Sequence, residues 1–394
     1  MLYFERSMQP PDPLQPLAPL DPQLPSSTPQ QQPDPRPSAP GAHARDLFWV
    51  FAGDHGLRSG WAVLLFVGIF YAITFVLDTV AVTAYPALAD NAITPINLLI
   101  GELLPVLAIV GAGLFVARVQ QRHILVYNLR DAMLLPRFVA GSAAGFVALS
   151  FLVGVEVLGG WLRFGPQALH GVAMARYAAI WAVDFLLVGL FEEGSFRCFL
   201  LATIERGINF RWALTTVAVT CAVVGLRIHA QGAGGVYLAA ALGIAPCWLL
   251  ERARARSAGF WQAAWTTSTA FGAYHTANHG ETALGIFTAA AIGFVFCASV
   301  RLTGSAWWAI GCHAAWDWAE TYFYGTANSG FSAPGHLLTT RAQGNPLLSG
   351  GVAGPEGSLL AVPVTALLLV LVALVYRGPR VNAQPHAAAE RLAG

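Results

Sequence analysis

Long apolar runs separated by short polar loops dominate the chain from Trp61 onward. A helix needs about 20 apolar residues to cross the hydrocarbon core of a bilayer, and ten segments approach this length. The predicted spans are Trp61–Tyr85, Asn97–Val116, Phe138–Gly159, Tyr177–Leu201, Trp212–Ile228, Gly234–Leu250, Gly259–Asn278, Ala283–Val300, Ser305–Tyr324 and Ser358–Tyr376. The pattern therefore predicts an all-α fold, a polytopic transmembrane helical bundle of about ten spans.

The composition agrees with a membrane protein and excludes several other classes. Of the 394 residues, 56% are hydrophobic and only 11% are charged, whereas an average soluble domain has about 25% charged residues. The 22 basic and 21 acidic residues give a net charge of +1. A soluble globular protein, a disordered protein and a nucleic-acid binder, which needs a basic face, are all excluded.

The two ends of the chain differ from its apolar middle. Twelve of the 24 prolines fall within the first 40 residues, mixed with Gln, Ser and Asp. A segment of this composition has too few apolar residues to form a buried core. We therefore predict a disordered Pro/Gln-rich cytoplasmic tail over 1–46, a membrane-embedded helical domain over 47–376 and a short cytoplasmic tail over 377–394.

The basic residues, all of them arginines, predict how the bundle is oriented. Short loops rich in Lys or Arg stay in the cytoplasm. Arginines crowd the loops after the second, fourth, sixth, eighth and tenth predicted spans, while Arg163 and Arg176 are exceptions on a long outer loop. This alternation predicts an integral membrane protein with both termini in the cytoplasm.

The first cluster of candidate chemistry is the run from Glu192 to Arg197 in the fourth span. Ionisable groups in the bilayer core are costly unless they are paired or lie in a wet cavity. Glu193 and Arg197 are four residues apart on one helix face, which favours an ion pair. Glu192 is rotated by about 100° from Glu193 and is left for another role. The alternative is a purely structural Glu–Arg pair with a spare acid facing water.

Two further clusters lie in later spans. Phe271 and His275 are one helical turn apart in the seventh span, and His313 and Asp317 share a face of the ninth. Taken alone, each could be a packing feature: a hydrogen-bonded histidine, or a self-contained His–Asp bond. Convergence of a glutamate, two histidines and an aspartate in one apolar bundle is what general acid–base or metal chemistry requires.

In order and membrane setting, these motifs resemble the signature of the CAAX-protease and bacteriocin-processing (CPBP) family. Its members, also called type II CAAX prenyl endopeptidases or the abortive-infection family, carry EExxxR, FxxxH and HxxxN or HxxxD on successive core helices. The resemblance covers roughly residues 97–376 and is strong over 177–208 and 259–360. It implies a family-like eight-span core and an intramembrane endopeptidase, here in a bacterial inner membrane.

The sequence departs from the family pattern in two places. About 50 surplus residues, 209–258, separate the first two motifs and are predicted to form an inserted helical hairpin. His229, within this hairpin, follows Gly225 rather than a phenylalanine, so His275 is taken as the motif histidine. Asp317 stands where some members have asparagine, and an ionised aspartate cannot donate a hydrogen bond to an oxyanion.

The resemblance implies catalytic roles for Glu192, His275, His313 and Asp317, and structural support of the site from Glu193, Arg197 and Phe271. Glu192 would act as the general base on the attacking water, and His275 would share that water. Arg197 would hold Glu193. His313, with Asp317 behind it, would stabilise the tetrahedral oxyanion.

Metal dependence is open at this stage. Glu192, His275 and His313 could form a three-ligand zinc site with an open position for water. A mechanism in which glutamate and histidine activate the water needs no metal, and it is the one favoured here. Neither a GxSxG nucleophile motif nor an HExxH zinc helix occurs in the sequence.

The expected partners are the lipid bilayer and a membrane-anchored peptide or protein, and no nucleic acid. Eukaryotic members of the family cut prenylated CAAX proteins, and the sequence does not choose between such a substrate and another. One alternative is a transporter, with an ion path along the buried acids Asp78, Glu102, Glu156 and Asp184. Against a transporter, the sequence shows no paired broken helices of the kind found in known transporter folds. Another is a non-catalytic membrane scaffold or immunity protein that keeps the fold.

Overall fold

The computed structural model describes residues 48–53, 56–90, 94–227, 243–244, 247–278 and 280–376. The predicted tails at 1–46 and 377–394 lie outside the described residues. So do His229 and much of the second apolar segment of the predicted hairpin at 209–258.

Nine helices of twelve residues or more are found in the described part of the chain. They are α1 (Ser59–Ala84), α2 (Pro95–Val119), α3 (Leu134–Leu158), α4 (Val172–Glu193), α5 (Phe210–Arg227), α6 (Ala258–Tyr274), α7 (Ala283–Thr303), α8 (Trp307–Trp318) and α9 (Ala361–Val375). Short helical segments lie at Phe48–Phe51, Leu201–Ile204 and Pro346–Ser349, and residues 247–252 are also helical. The predicted all-α bundle is confirmed.

Two helices continue into wide π-helical turns beside the candidate site. α4 runs on through Gly194–Leu200, and α8 runs on through Ala319–Tyr324. Turns of this kind interrupt the regular i→i−4 hydrogen-bond ladder and are frequent at functional sites. Both π turns begin within two residues of a motif acid, Glu193 in α4 and Asp317 in α8.

Strands are few in the described residues. β1 (Ala52–Gly53) and β2 (Gly56–Leu57) form a small antiparallel pair ahead of α1. β3 (Leu162–Gln167) pairs antiparallel with β4 (Leu338–Ala342). The second pair joins the loop that follows α3 to the loop that follows α8.

Five helical stretches are long and apolar enough to cross a membrane. They are Ser59–Ala84, Ile96–Val119, Leu134–Leu158, Val172–Ile204 and Ala283–Thr303. Each overlaps one of the predicted spans, and the apolar helices Phe210–Leu226 and Ala361–Val375 are shorter. The chain is therefore an integral membrane protein, while the total of ten spans stays a prediction.

Burial distinguishes the centre of the bundle from its lipid-facing edge. In α7, 67% of the most apolar stretch is buried, against 11% in α1. Large side chains of α1 stay exposed, including Phe75 at 73% and Leu64 at 61%. A helix that is apolar on all sides and still exposed is typical of one that contacts lipid.

Glycines bring α3 and α8 into close contact. A Cβ atom added to Gly141 would lie 2.0 Å from the Trp308 carbonyl oxygen, and one added to Gly145 would lie 2.1 Å from that of Cys312. Small residues spaced four apart allow membrane helices to pack backbone against backbone. This contact fixes the position of α8, and with it the side chain of His313.

Candidate active site

The paired glutamates lie at the end of α4, and Arg197 lies in the π turn that follows. Arg197 Nη1 donates a hydrogen bond to Glu193 Oε1 at 3.2 Å, and Nε lies 3.1 Å from Glu193 Oε2. Both side chains are fully buried. The structure thus contains the Glu193–Arg197 pair expected from their spacing. A buried pair of this kind is strongly destabilised when one partner is removed.

Aromatic rings surround the Arg197 guanidinium. Its Cζ atom lies 4.1 Å from the ring centroid of Phe271 in α6 and 5.4 Å from that of Phe296 in α7. A Cβ atom added to Gly293 would lie 2.5 Å from Arg197 Nη2, so α7 needs a glycine there. These cation–π contacts stabilise the arginine in its fully buried position. Arg197 therefore links α4, α6 and α7 behind the candidate site.

Glu193 also holds His313. His313 Nδ1 lies 2.9 Å from Glu193 Oε1, and because a carboxylate only accepts, the histidine donates. The other ring nitrogen, Nε2, lies 3.4 Å from Asp317 Oδ2 and 3.7 Å from Glu192 Oε2. Asp317 thus approaches the same nitrogen as Glu192, instead of lying behind the ring as expected from sequence. The partner behind the ring is Glu193.

A hydrogen bond between its first and last residues explains the spacing of the FxxxH motif. His275 begins a 3₁₀ turn immediately after α6, and its Nδ1 donates to the Phe271 carbonyl oxygen at 2.9 Å. A neutral imidazole that donates from Nδ1 keeps a lone pair on Nε2. His275 is 9% exposed. Its free nitrogen can therefore accept a hydrogen bond from water or substrate.

One cavity of about 450 Å³ brings the three motifs together. Its walls include Glu192 from α4, His275 after α6, and His313 and Asp317 from α8. Phe271 lines it as well, whereas Glu193 and Arg197 lie behind the wall. The structure thus places all four predicted catalytic residues around a common space. Glu193 and Phe271 contact His313 and His275, and Arg197 is hydrogen-bonded to Glu193.

Polar loop residues complete the cavity, and the sequence analysis did not identify them. Asn328 and Ser329, which follow α8, and Glu356, which precedes α9, are part of the lining. Glu356 Oε1 accepts hydrogen bonds from both the backbone N–H and the hydroxyl of Ser329, each at 2.5 Å. Loops have no helical period that would reveal a shared face. These residues lie within 259–360, where the resemblance to the family is strong, but they are not part of its three motifs.

Glu281 is a further acid, on the loop between α6 and α7. Burial, and then the nearby Glu356 carboxylate, raise the pKa of Glu281 from 4.5 to about 8. Its Oε1 also accepts a hydrogen bond from the Thr282 backbone N–H at 2.8 Å. This loop therefore carries an acid that takes up a proton more readily than a glutamate in water.

The surroundings of His313 bear on the possible zinc site. Among the described residues, no group of three or more His, Cys, Asp or Glu side chains is spaced to hold a metal ion. His313 Nδ1 is engaged by Glu193, and its Nε2 faces two carboxylates. Zinc requires a neutral or deprotonated nitrogen directed at the ion. A hydrogen bond from Nδ1 to a carboxylate is also how metal-bound histidines are commonly oriented, so zinc binding by Glu192, His275 and His313 stays a prediction, which a chelator tests.

A comparison with protein families agrees with the geometry. A family model described as type II CAAX prenyl endopeptidase Rce1-like matches residues 247–319. The matched stretch contains the Phe271–His275 and His313–Asp317 motifs, while the glutamate pair precedes it. Comparisons with curated proteins and with solved structures gave no match. This match and the helical membrane fold support the resemblance of the chain to CAAX-type intramembrane proteases.

Proposed function

We propose that the protein is an intramembrane endopeptidase that hydrolyses a peptide bond with a water molecule activated by Glu192 and His275. The observation that carries the proposal is the convergence of Glu192, His275 and His313 on one cavity of about 450 Å³. Such a volume is within the range of sites that hold a small ligand or a few side chains. The three residues come from separate helices, so a packing role for each one alone does not account for their meeting.

Glu192 and His275 suit the activation of water. Glu192 Oε2 is buried and has no hydrogen-bond partner among the described residues, and a neutral His275, whose Nδ1 donates to Phe271, has a lone pair on Nε2. One hydrogen of the water can therefore bond to each residue. In the attack, Glu192 takes a proton as the water oxygen bonds to the carbonyl carbon. Glu192 later returns that proton to the departing amine.

His313 suits the stabilisation of the oxyanion. Glu193 fixes the ring through Nδ1, which leaves Nε2 facing the cavity beside Asp317 and Glu192. As an imidazolium, His313 would direct an N–H group at the developing negative charge. A donor in this role is typically worth about 3–4 kcal/mol in the transition state. Asp317 balances the positive charge of the ring.

The substrate in this proposal is a membrane-anchored peptide or protein, because the cavity lies among helices that contact lipid. A prenylated CAAX protein is one such substrate, and a lipid-anchored peptide of another sequence is a second. The enzyme would act in a bacterial inner membrane, and the mechanism above needs no metal.

The test is cleavage of membrane-anchored peptides by the purified protein in lipid, followed by mass spectrometry of both products. We expect one peptide bond to be cut, and cutting to persist in the presence of a chelator. Activity that is lost on chelation and restored by zinc would replace the metal-free mechanism. Absence of cleavage across a broad peptide library, together with measurable ion flux, would support the transporter alternative instead.

A further inference from the structure

Besides Glu356, two acids that the proposed mechanism does not use line the same cavity. They are Glu102 on α2 and Asp184 on α4. Asp184 is only 4% exposed, and its Oδ1 has no hydrogen-bond partner among the described residues. Glu102 is close enough to Asp184 and Glu192 for the negative charges of these carboxylates to repel one another. The other two acids considered for an ion path, Asp78 and Glu156, are not part of the lining.

Aromatic side chains form the wall beside these acids. Trp181 and Phe185 stack with ring centroids 5.4 Å apart, and both line the cavity. Trp181 is held in place because its indole N–H donates to the Gly335 carbonyl oxygen at 3.3 Å. Leu98 of α2 lines the cavity as well. We call the part of the cavity formed by Leu98, Glu102, Trp181, Asp184 and Phe185 the acidic arm.

The acidic arm has the chemistry of a site for a cation. Carboxylates form strong charge-assisted hydrogen bonds with guanidinium and ammonium groups, and aromatic faces attract the same cations. No arginine is among the lining residues that the structure describes, so the arm has no cation of its own. A buried carboxylate oxygen without a partner is costly. An incoming basic side chain would supply that partner, whereas a carboxylate of the substrate would be repelled.

The acidic arm is some distance from the catalytic residues. Asp184 and Glu192 are eight residues apart on α4, which corresponds to about 12 Å along the helix axis. An extended peptide advances about 3.3–3.6 Å per residue. The arm is therefore within reach of a substrate residue about three or four positions from the bond that is cut.

We propose that Glu102 and Asp184 form a specificity subsite that binds an arginine or lysine side chain of the substrate. The subsite accepts a residue about three or four positions from the scissile bond. This inference rests on the proposed peptidase function, and it defines the substrate class as membrane-anchored peptides with a basic residue close to the cleavage point.

The test is an arginine scan with the wild-type protein in lipid. A lipid-anchored peptide that is cut is remade with arginine or glutamine at each position within five residues of the scissile bond. We expect arginine to raise kcat/KM by about tenfold or more over glutamine at one position, as is typical of a charge-assisted hydrogen bond. Glutamate at that position should lower kcat/KM below the glutamine value.

Variants identify the residues responsible. In Asp184→Asn and in Glu102→Gln, the preference for arginine over glutamine should fall towards one, mainly through KM. The control is Asp78→Asn, which removes an exposed acid of α1 away from the cavity and should keep the full preference. A loss of activity in Asp184→Asn that is equal for arginine and glutamine peptides would overturn the subsite and point to a proton path.

The outcomes separate this inference from the proposed function. Cleavage of all peptides at equal rates would overturn the subsite and leave the peptidase function standing. An arginine preference that survives both substitutions would also overturn it. If no peptide is cut, the peptidase function fails and the subsite fails with it.

Discussion

Glu193 connects two of the three motifs through a single carboxylate. It accepts from Arg197 in the following π turn and from His313 on α8. Both hydrogen bonds go to Oε1, and Oε2 lies 3.1 Å from Arg197 Nε in a fully buried ion pair, so Glu193 is poorly suited to act on water. Glu192, whose Oε2 has no hydrogen-bond partner among the described residues, lines the cavity instead. The two adjacent glutamates therefore have different surroundings, which supports different roles for them.

The first prediction concerns the base. Glu192→Gln keeps the size of the side chain and removes its ability to take a proton. We expect kcat to fall by about 10²–10⁴-fold, the usual contribution of general-base catalysis, with little change in KM. The measurement is steady-state cleavage of a lipid-anchored peptide. The control, Glu251→Gln, alters an exposed acid outside the cavity lining. Equal rates for wild type and Glu192→Gln would remove Glu192 as the base.

The second prediction concerns the buried ion pair. Arg197→Ala leaves Glu193 fully buried without its cation, at a cost of about 3–5 kcal/mol. We expect a lower yield of folded protein and a lower Tm in detergent, measured by thermal unfolding. Arg197→Lys keeps the charge but loses the two-point contact, and should give an intermediate Tm. An Arg197→Ala variant with wild-type Tm and activity would contradict this structural role.

At the scale of elements, the position of His313 depends on how α8 packs. Gly141 and Gly145 allow α3 to approach the backbone of α8. On the other side, a Cβ atom added to Gly189 of α4 would lie 3.1 Å from the Ile310 carbonyl oxygen. α8 is thus held between two helices that present glycine to it. This packing brings His313 to Glu193. The π turns that follow α4 and α8 lie next to the same contact.

The third prediction tests this packing. Gly145→Ala would place a methyl group 2.1 Å from the Cys312 carbonyl oxygen, so the two helices must separate. We expect a loss of about 1–3 kcal/mol of stability from overpacking, and reduced kcat because His313 moves with α8. Gly154→Ala on the same helix is the matched control, since an added Cβ has nothing within 4 Å. Thermal unfolding and peptide cleavage check both variants, and equal behaviour of the two would refute the packing argument.

At the scale of the whole molecule, the arginines next to α6 and α7 lie at the helix ends opposite the cavity loops, whereas Arg163 and Arg341 lie on the β3–β4 pair. α6 begins just after Arg256 and ends before His275, and α7 runs back from Ala283 to a last turn that contains Arg301. α8 then returns towards the cavity residues Asn328 and Ser329. Since loops rich in arginine stay in the cytoplasm, the cavity loops should face the other side of the membrane.

The fourth prediction follows from this orientation. In a cysteine-free background, Val352→Cys, on the loop before α9, should react with a membrane-impermeant maleimide added to intact cells. Leu125→Cys, on the arginine-rich loop after α2, should react only after the membrane is permeabilised. Both positions are exposed in the structure, Val352 at 69% and Leu125 at 43%, so each can be labelled. The reverse labelling pattern would contradict this orientation: the cavity loops would then face the cytoplasm and both termini would lie outside.

Much of the local structure followed from the sequence because helix formation depends on residues that are close together along the chain. Apolar runs of sufficient length predicted the spans, and spacing of four residues predicted the Glu193–Arg197 pair. The predicted spans fit less well where helices are short: α6 ends at Tyr274 and α8 at Trp318, before the ends predicted at Asn278 and Tyr324. There the chain changes to 3₁₀ or π turns. The spacing of apolar residues in these turns is nearly the same as in an α-helix, so the sequence pattern does not distinguish them.

Tertiary structure alone decided which helix faces meet. The spacing of four residues predicted the approach of Asp317 to His313, which the structure contains at 3.4 Å, but it did not predict that Glu193, 120 residues away, engages Nδ1. Likewise, Asp184 and Glu102 showed in the sequence only as isolated acids, and the packing of α2 against α4 placed both in the cavity. Helical periodicity determines which residues share a face of one helix. The neighbour of that face depends on close-packed contacts between helices, such as Gly145 against Cys312, and these are set by the shape of the whole bundle.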